Sequence, residues 1–326
     1  ALVRGLQKQA ELTGVVKVEF IGAVSKGLEG KELAEMGDMA EAGVVAFSDD
    51  GHYVENAAFM RRALEYSSMF NKMVIDHAED ITLTKNGHMH EGIVSYELGV
   101  IGRPAVAEDL AVARDILLSE MTGGHIHIAH VSSKNTVDMV RRAKAKGLNV
   151  TCEVTSQHLS FTDEYLREYN PAFKMAPPIR SEDHRQALLE GLKDGTIDAI
   201  ITDHAPHAYE EKDHEFCCAP NGFSGLETSL AAVITNAYGP DKLSIDQVVY
   251  YMSTRPAELM HLDAGVLEVG KPADITVFST TEKWTVDRNK FYTKGKVSPF
   301  DGMTVTGKAK LTVVDGKIVM KEGVVL

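Results

Sequence analysis

The chain has 326 residues, 44% of them hydrophobic, which allows one large core and a small second domain. Its formal net charge of -13 argues against a nucleic-acid or anionic-membrane partner, although local positive groups or metal ions could still attract an anionic substrate. No apolar run approaches the roughly 18 residues of a membrane helix, and three cysteines give no disulfide framework, which predicts a cytoplasmic location.

The predicted elements alternate between strands and helices after a helical start. Six apolar, often β-branched runs predict strands at residues 15–24, 43–48, 72–77, 125–131, 149–155 and 198–202. Most of them lack a polar–apolar alternation, which is typical of strands buried on both faces of a parallel sheet. Helical periodicity follows each strand and predicts helices at residues 30–42, 56–70, 105–120, 134–146, 182–194 and 226–238, with one more at 244–260.

This alternation predicts an α/β fold, either a doubly wound sheet or a (β/α)8 barrel. Polar side chains stand at or just after the ends of several strands, namely Asp49, Asp50, His77, His130, His158 and Asp203. Such a distribution favours the barrel, because a doubly wound sheet concentrates its chemistry at one switch point. No G-x-G-x-x-G motif or P-loop opens a helix. We therefore predict a TIM-type barrel over residues 1–261, with six of its eight strand–helix units present.

The alternation of predicted strands and helices ends near residue 262, and β-like segments follow. Residues 265–278 indicate a turn and a strand, and residues 311–314 and 317–320 indicate a hairpin through Asp315 and Gly316. We predict that residues 262–326 form part of a small β-sandwich domain.

The polar strand ends contain the residue types of a metal-dependent hydrolase. Zinc hydrolytic sites combine histidine nitrogens with carboxylate oxygens and leave a position for water. Asp50, His77, His130 and Asp203 fit this donor set, and Gly51 permits a tight turn beside Asp50. Taken singly, each histidine is more often a hydrogen-bonded core or surface residue, and Asp-Asp-Gly is more often a plain turn. Their recurrence at the same end of successive strands favours a metal site.

Two other histidine pairs have a different interpretation. His88 and His90 have the spacing of a metal pair but stand in a predicted loop flanked by glycine and asparagine, where we expect them to face solvent or lie beside a substrate. His125 and His127 alternate with isoleucine within one strand, and we predict structural roles for them.

Several motifs resemble those of the bacterial class I dihydroorotases, members of the amidohydrolase superfamily. The most specific is Asp-His-Ala-Pro-His at residues 203–207, followed by Glu-Glu-Lys at 210–212. Further matches in order and spacing are at residues 47–51, 76–80, 90–92, 153–155, 225–228, 270–274 and 294–300. The resemblance implies a zinc-dependent enzyme that reversibly cyclises N-carbamoyl-L-aspartate to dihydroorotate in pyrimidine biosynthesis.

The resemblance also implies residue roles, with two zinc ions per complete site. Asp50 would bridge the two ions, and His77 and His130 would bind the second. Asp203 would bind the first zinc and act as the general acid and base. A substrate would contact His207 and lie near Ala176, Asn221 and Gly222, beneath a mobile loop at residues 208–221.

The sequence departs from the family pattern in two respects. The usual His-x-His strand, a substrate-binding Arg and a Met-Pro-Asn-Thr segment are not found, and we expect them, with two barrel units, to precede Ala1. Within these residues the first zinc would keep only Asp50 and Asp203. Ala176 stands where the family usually has a substrate-binding Asn, and Asn221-Gly222 where Phe-Gly is usual.

These departures leave alternatives to the dihydroorotase open. One is a cyclic-amide hydrolase of the hydantoinase or allantoinase type, and another is a non-catalytic homologue that acts as a scaffold. As partners we expect a small-molecule substrate, no nucleic acid, no membrane and a possible homodimer.

Overall fold

The computed structural model describes all 326 residues. Its strands are β1 Ile21–Gly22, β2 Ala46–Ser48, β3 Val74–Asp76, β4 Met89–His90, β5 Gly102–Arg103, β6 Ile126–Ile128, β7 Val150–Thr155, β8 Ala199–Ile201, β9 Ile275–Thr285, β10 Thr304–Val314, β11 Lys317–Lys321 and β12 Val324–Val325. Its α-helices are α1 Leu2–Thr13, α2 Met36–Glu41, α3 Ala57–Ser68, α4 Ile81–Thr84, α5 Ile93–Leu98, α6 Val106–Thr122, α7 Lys134–Ala145, α8 Glu182–Lys193, α9 Tyr209–Lys212, α10 Ser229–Asn236, α11 Ile245–Val249 and α12 Arg255–Leu259.

The main sheet has six parallel strands in the order β1-β2-β3-β6-β7-β8. The order in space therefore follows the order in the chain, with no reversal. A doubly wound sheet would reverse at a switch point, whereas a barrel adds each strand beside the previous one. The predicted α/β fold of the barrel type, with six strand–helix units, is confirmed.

The strands form because their side chains are buried on both faces, as the apolar runs predicted. All three residues of β3 and of β6 are buried. A core of 34 buried residues lies between these strands and the helices that follow them. The helix α3 shows how the sequence sets a helix start, since Oδ1 of Asn56 accepts a hydrogen bond from the amide of Phe59 at 3.0 Å.

Several predicted elements differ from the structure, including the helix predicted at 30–42, of which only α2 Met36–Glu41 is α-helical. The first strand is limited to Ile21–Gly22, because residues 15–19 are exposed and have no pairing partner at this edge of the sheet. The helix predicted at 244–260 consists of α11, a π-helical segment Tyr250–Thr254 and α12. Pro256 has no N–H, so the regular α-helical ladder cannot continue through it.

The C-terminal residues form an antiparallel sheet in the order β12-β11-β10-β9. The predicted hairpin pairs Val314 with Lys317, and both Asp315 and Gly316 have positive φ, as a tight two-residue turn requires. Phe300 and Val305 from this region are buried in one cluster with Phe161 and Phe173 of the main body. None of the helices has the length and apolar character needed to cross a membrane.

Candidate metal centre

Three of the four predicted metal ligands leave the same edge of the main sheet and converge. Asp50 follows β2, where its amide donates to the Ser48 hydroxyl at 2.9 Å and Gly51, with φ 84°, turns the chain. His77 follows β3 directly. His130 lies two residues after β6 with φ 35°, a strained value for a non-glycine residue that aims its side chain away from the strand direction.

The ligand atoms of Asp50, His77 and His130 all lie within 4.8 Å of one another. Oδ1 of Asp50 lies 3.5 Å from Nδ1 of His77 and 3.4 Å from Nε2 of His130. The two imidazoles meet edge to face, with centroids 4.5 Å apart. Both histidines are buried, whereas the carboxylate of Asp50 is about half exposed. The cluster therefore has two buried candidate ligands, His77 and His130, and one, Asp50, that is exposed at the cavity.

This arrangement fits a metal ion. The distances from Asp50 to the two rings exceed those of strong hydrogen bonds, so the three groups converge on a common point more than they bond to one another. Nδ1 of His130 is buried without a hydrogen-bond partner. Two imidazoles and one carboxylate are zinc donors, and three protein ligands with an open position are typical of catalytic zinc.

The electrostatics of the cluster also favour a cation. Burial alone would raise the pKa of Asp50, but its interactions with His130 and His77 hold that pKa well below the usual range. Burial would lower the pKa of His77, but contacts with Asp50 and Glu79 outweigh it and raise the pKa to about 9. Positive charge is therefore stabilised at this point, whether it is carried by protons or by a metal ion.

Asp203 lies outside this cluster of three but lines the same cavity. It follows β8 by two residues and, like His130, has positive φ, here 42°. Burial raises the pKa of its carboxyl group above the usual value; His130 opposes that rise and Asp50 adds to it. A carboxyl group with a raised pKa can hold and release a proton nearer neutral pH.

The cluster opens into a cavity of about 1200 Å³. Of the predicted substrate-side residues, Ala176, Asn221 and Gly222 line it. His207 does not line the cavity; its Nε2 lies 2.7 Å from the carbonyl oxygen of Asn221. His207 therefore lies behind the Asn221 backbone in this arrangement.

Among the charged residues that line the cavity and that sequence reasoning did not single out, Glu79 and Arg103 form a pair next to His77. Glu79 is buried, with Oε2 3.1 Å from Nη1 of Arg103 and 3.9 Å from Nε2 of His77. Its Oε1 has no hydrogen-bond partner. Glu79 follows His77 by two residues, and this spacing could have predicted that it lies at the same end of the sheet. Arg103 comes from a two-residue strand, and no sequence pattern predicts its place at the cavity.

The prediction of a loop position and of solvent exposure for His90 was wrong, because it belongs to the short strand β4 and is buried. Its Nδ1 lies 3.4 Å from Nη1 of Arg180. The interpretation of His125 and His127 agrees with their contacts, since both rings hydrogen-bond to the hydroxyl of Thr151 at 2.8 and 2.7 Å. His88 is half-buried.

Comparison with known proteins identifies one family, and the relatives described below agree with it. The amidohydrolase family model matches residues 16–319. A dihydroorotase from Acetivibrio thermocellus is 46% identical over 326 residues, covering 100% of this chain and 76% of the relative. One from Pelotomaculum thermopropionicum is 48% identical over 318 residues, covering 98% and 74%.

Among solved structures, the L-hydantoinase (dihydropyrimidinase) from Arthrobacter aurescens matches with a TM-score of 0.86 and 28% identity, covering 99% of this chain and 75% of that one. A D-hydantoinase structure matches with a TM-score of 0.81 and 22% identity over 100% of this chain and 75% of that chain, a likeness of fold alone.

Proposed function

The chain belongs to the amidohydrolase family and, within it, to the dihydroorotases, and from this premise we propose how its residues perform the reaction. The reaction makes or breaks one cyclic amide bond between N-carbamoyl-L-aspartate and dihydroorotate. The observation that carries the proposal is the convergence of Asp50, His77 and His130 on one cavity, in a chain related along its whole length to dihydroorotases.

We propose that the metal is zinc, with two ions in a complete site. His77 and His130 would hold one ion, Asp203 would contribute to the other, and Asp50 would bridge them. When bound, zinc supplies polarisation of the amide carbonyl and lowers the pKa of water. Glu79 would orient His77, as carboxylates near metal-bound histidines commonly do.

Asp203 is the residue proposed to move the proton. In the hydrolytic direction it takes a proton from the attacking water and passes it to the leaving ring nitrogen. In the cyclising direction it returns that proton. Its place at the cavity wall and the raised pKa of its carboxyl group suit both roles.

The stretch of the cavity lining formed by Ala176, Asn221 and Gly222 is proposed to bind the substrate. The Asn221 amide and the Gly222 carbonyl would face it, since the Asn221 carbonyl pairs with His207 and the Gly222 amide with Lys174, while Ala176 offers a methyl group and no hydrogen bond. His207 would act through the Asn221 carbonyl unless substrate binding moves it. Ala176→Asn should then lower the KM for dihydroorotate by up to about tenfold, the change that one added hydrogen bond can supply.

The experiment is an assay of the zinc-loaded, full-length gene product with dihydroorotate and N-carbamoyl-L-aspartate. We expect interconversion in both directions, abolished by chelation and restored by zinc. A fully metal-loaded protein that converts neither compound would overturn the proposal.

A second candidate is a hydantoinase-like activity on another cyclic amide. The structural likeness to the Arthrobacter L-hydantoinase and the methyl group of Ala176 both favour it. Measuring kcat/KM for dihydroorotate, hydantoin and allantoin side by side separates the candidates, and we expect dihydroorotate to have the highest value.

A further inference from the structure

Two lysines beside the cavity are buried although neither contacts a carboxylate. Lys174 is 4% exposed and Lys212 is 2% exposed. Their ammonium groups donate only to backbone carbonyl oxygens. Burying an ammonium group without a counter-ion is costly, so the contacts that it makes must matter to the fold or to the site.

Three of the four carbonyls belong to one segment, residues 208–222, which leads from Asp203 and His207 to the cavity wall, and the fourth is that of Lys174. Nζ of Lys174 donates to the carbonyls of Cys217 at 3.0 Å and Ala219 at 2.6 Å. Nζ of Lys212 donates to Pro220 at 2.8 Å and to the carbonyl of Lys174 at 3.4 Å. Phe216 adds an apolar anchor, and its ring centroid lies 5.5 Å from Nζ of Lys174.

The held segment ends at the cavity. The amide of Gly222 donates to the carbonyl of Lys174 at 2.9 Å, so two cavity-lining stretches, at Ala176 and at Asn221–Gly222, are joined through Lys174. Gly222 has φ 103°, and a Cβ there would lie 2.7 Å from Cβ of Ala205. A side chain at position 222 would therefore collide with the chain that follows Asp203.

We propose that Lys174 and Lys212 form a clamp that holds residues 208–222 in the position where Asn221 and Gly222 meet the substrate. Both are positioning residues, since neither lines the cavity. The proposal rests on the proposed function for the identity of the substrate.

The pKa values of the two lysines reflect the cost of burying their ammonium groups. Burial lowers the pKa of Lys174, and burial together with the charge of Lys174 lowers the pKa of Lys212 to about 8.

The test compares Lys174→Met and Lys212→Met with the unaltered protein. Methionine keeps most of the side-chain volume and removes the charged donor. The endoprotease Glu-C can cleave after the exposed Glu210, Glu211 and Glu215, and we expect cleavage there to become at least about tenfold faster. We also expect KM for dihydroorotate to rise about tenfold with kcat within about threefold and with zinc content unchanged, since a hydrogen bond from a charged group is lost.

The matched control is Lys144→Met, which removes a half-buried lysine that pairs with Asp198 at 2.6 Å away from the cavity. It should lower the unfolding temperature and change neither Glu-C cleavage nor KM. Cleavage rates and KM values that stay unchanged in both lysine variants would overturn the proposal.

Hydrogen exchange on the unaltered protein gives a second measurement in case a variant does not fold. The amide of Gly222 should be strongly protected, and exchange at the rate of an unstructured peptide would also overturn the clamp. If the unaltered protein does not convert dihydroorotate, the proposed function fails. Glu-C cleavage and hydrogen exchange at Gly222 still test whether the two lysines hold the segment.

Discussion

Two adjacent carboxylates, Asp49 and Asp50, have different tasks. Asp49 is 2% exposed, and its Oδ1 accepts the amides of Val24 at 2.8 Å and Ser25 at 2.9 Å. Its Oδ2 also hydrogen-bonds to the Ser25 hydroxyl. Asp50 reaches the cavity and the two histidines instead. The first residue joins β1 to β2, and we propose that the second supplies a metal ligand.

Substituting each one by alanine should separate stability from metal binding. Asp49→Ala leaves two buried amides unpaired and should lower the free energy of unfolding by about 3 kcal/mol. Asp50→Ala should change the stability of the metal-free protein by less than about 0.5 kcal/mol but weaken zinc binding more than about 100-fold. Urea unfolding of the metal-free variants and a zinc titration against a chelator measure both effects. A loss of stability in Asp50→Ala together with weakened zinc binding in Asp49→Ala would contradict these roles.

At the scale of elements, a buried network fixes the turn that carries His130. Oε1 of Glu108, on α6, accepts the amides of Ser132 at 3.0 Å and Ser133 at 2.9 Å. Arg180 lies 3.4 Å from Oε2 of Glu108 and donates to the Ser132 hydroxyl at 2.7 Å. The network holds the start of α7 and, two residues earlier, the strained backbone of His130.

Breaking this network should weaken both the fold and the metal site. Glu108→Ala leaves the guanidinium of Arg180 buried without a counter-charge and should cost about 3 to 5 kcal/mol. Zinc affinity should fall about tenfold, because His130 loses its support. In a double-mutant cycle, Glu108→Ala with Arg180→Met should cost clearly less than the sum of the single changes. Additive costs would show that the two residues are independent.

The sequence predicted the elements better than it predicted the site's detailed contacts. Apolar runs such as that around Ile126 identify buried strands, because a parallel sheet needs apolar residues on both faces. The same pattern placed His77 and His130 at one edge of the sheet. It could not reveal that His130 and Asp203 need positive φ, since only tertiary contacts hold a non-glycine residue there.

Other parts of the site depend on contacts between residues far apart in the chain. Arg103 reaches Glu79 from a two-residue strand, and Lys174 reaches carbonyls more than 40 positions later. No local periodicity encodes such pairs. His90 was assigned to a loop because glycine and asparagine flank it, yet pairing of β4 with β5 buries it.

At the scale of the whole molecule, two buried histidines make the free energy of unfolding depend on pH. Burial, with Arg180 nearby, lowers the pKa of His90 to about 3. Burial, with His130 nearby, lowers that of His158 to about 3. Because both folded values lie below the ordinary value of 6.5, the unfolded chain binds more protons. Their contribution to stability is full above pH 6.5 and is lost as the pH falls towards 3.

The free energy of unfolding of the metal-free protein should therefore fall between pH 6 and pH 5, with each histidine contributing up to about 1.4 kcal/mol per pH unit. His77, whose pKa is raised to about 9, stays protonated in the folded protein over this range, so it opposes the fall only through the small fraction that is unprotonated in the unfolded chain near pH 6. Urea unfolding at several pH values measures the slope. His158→Gln should reduce it, and the exposed control His214→Gln should not. An unchanged slope in His158→Gln would contradict the assignment.

The claim on which the rest depends is that Asp50, His77 and His130 bind the catalytic metal. Anomalous diffraction at the zinc edge, from crystals of the zinc-loaded protein, tests it most directly. We expect a zinc peak about 2.0 to 2.1 Å from a ring nitrogen of both His77 and His130, with an oxygen of Asp50 beside it. A zinc-loaded protein with no peak at this cluster, or with its metal at another group of histidines, would contradict it.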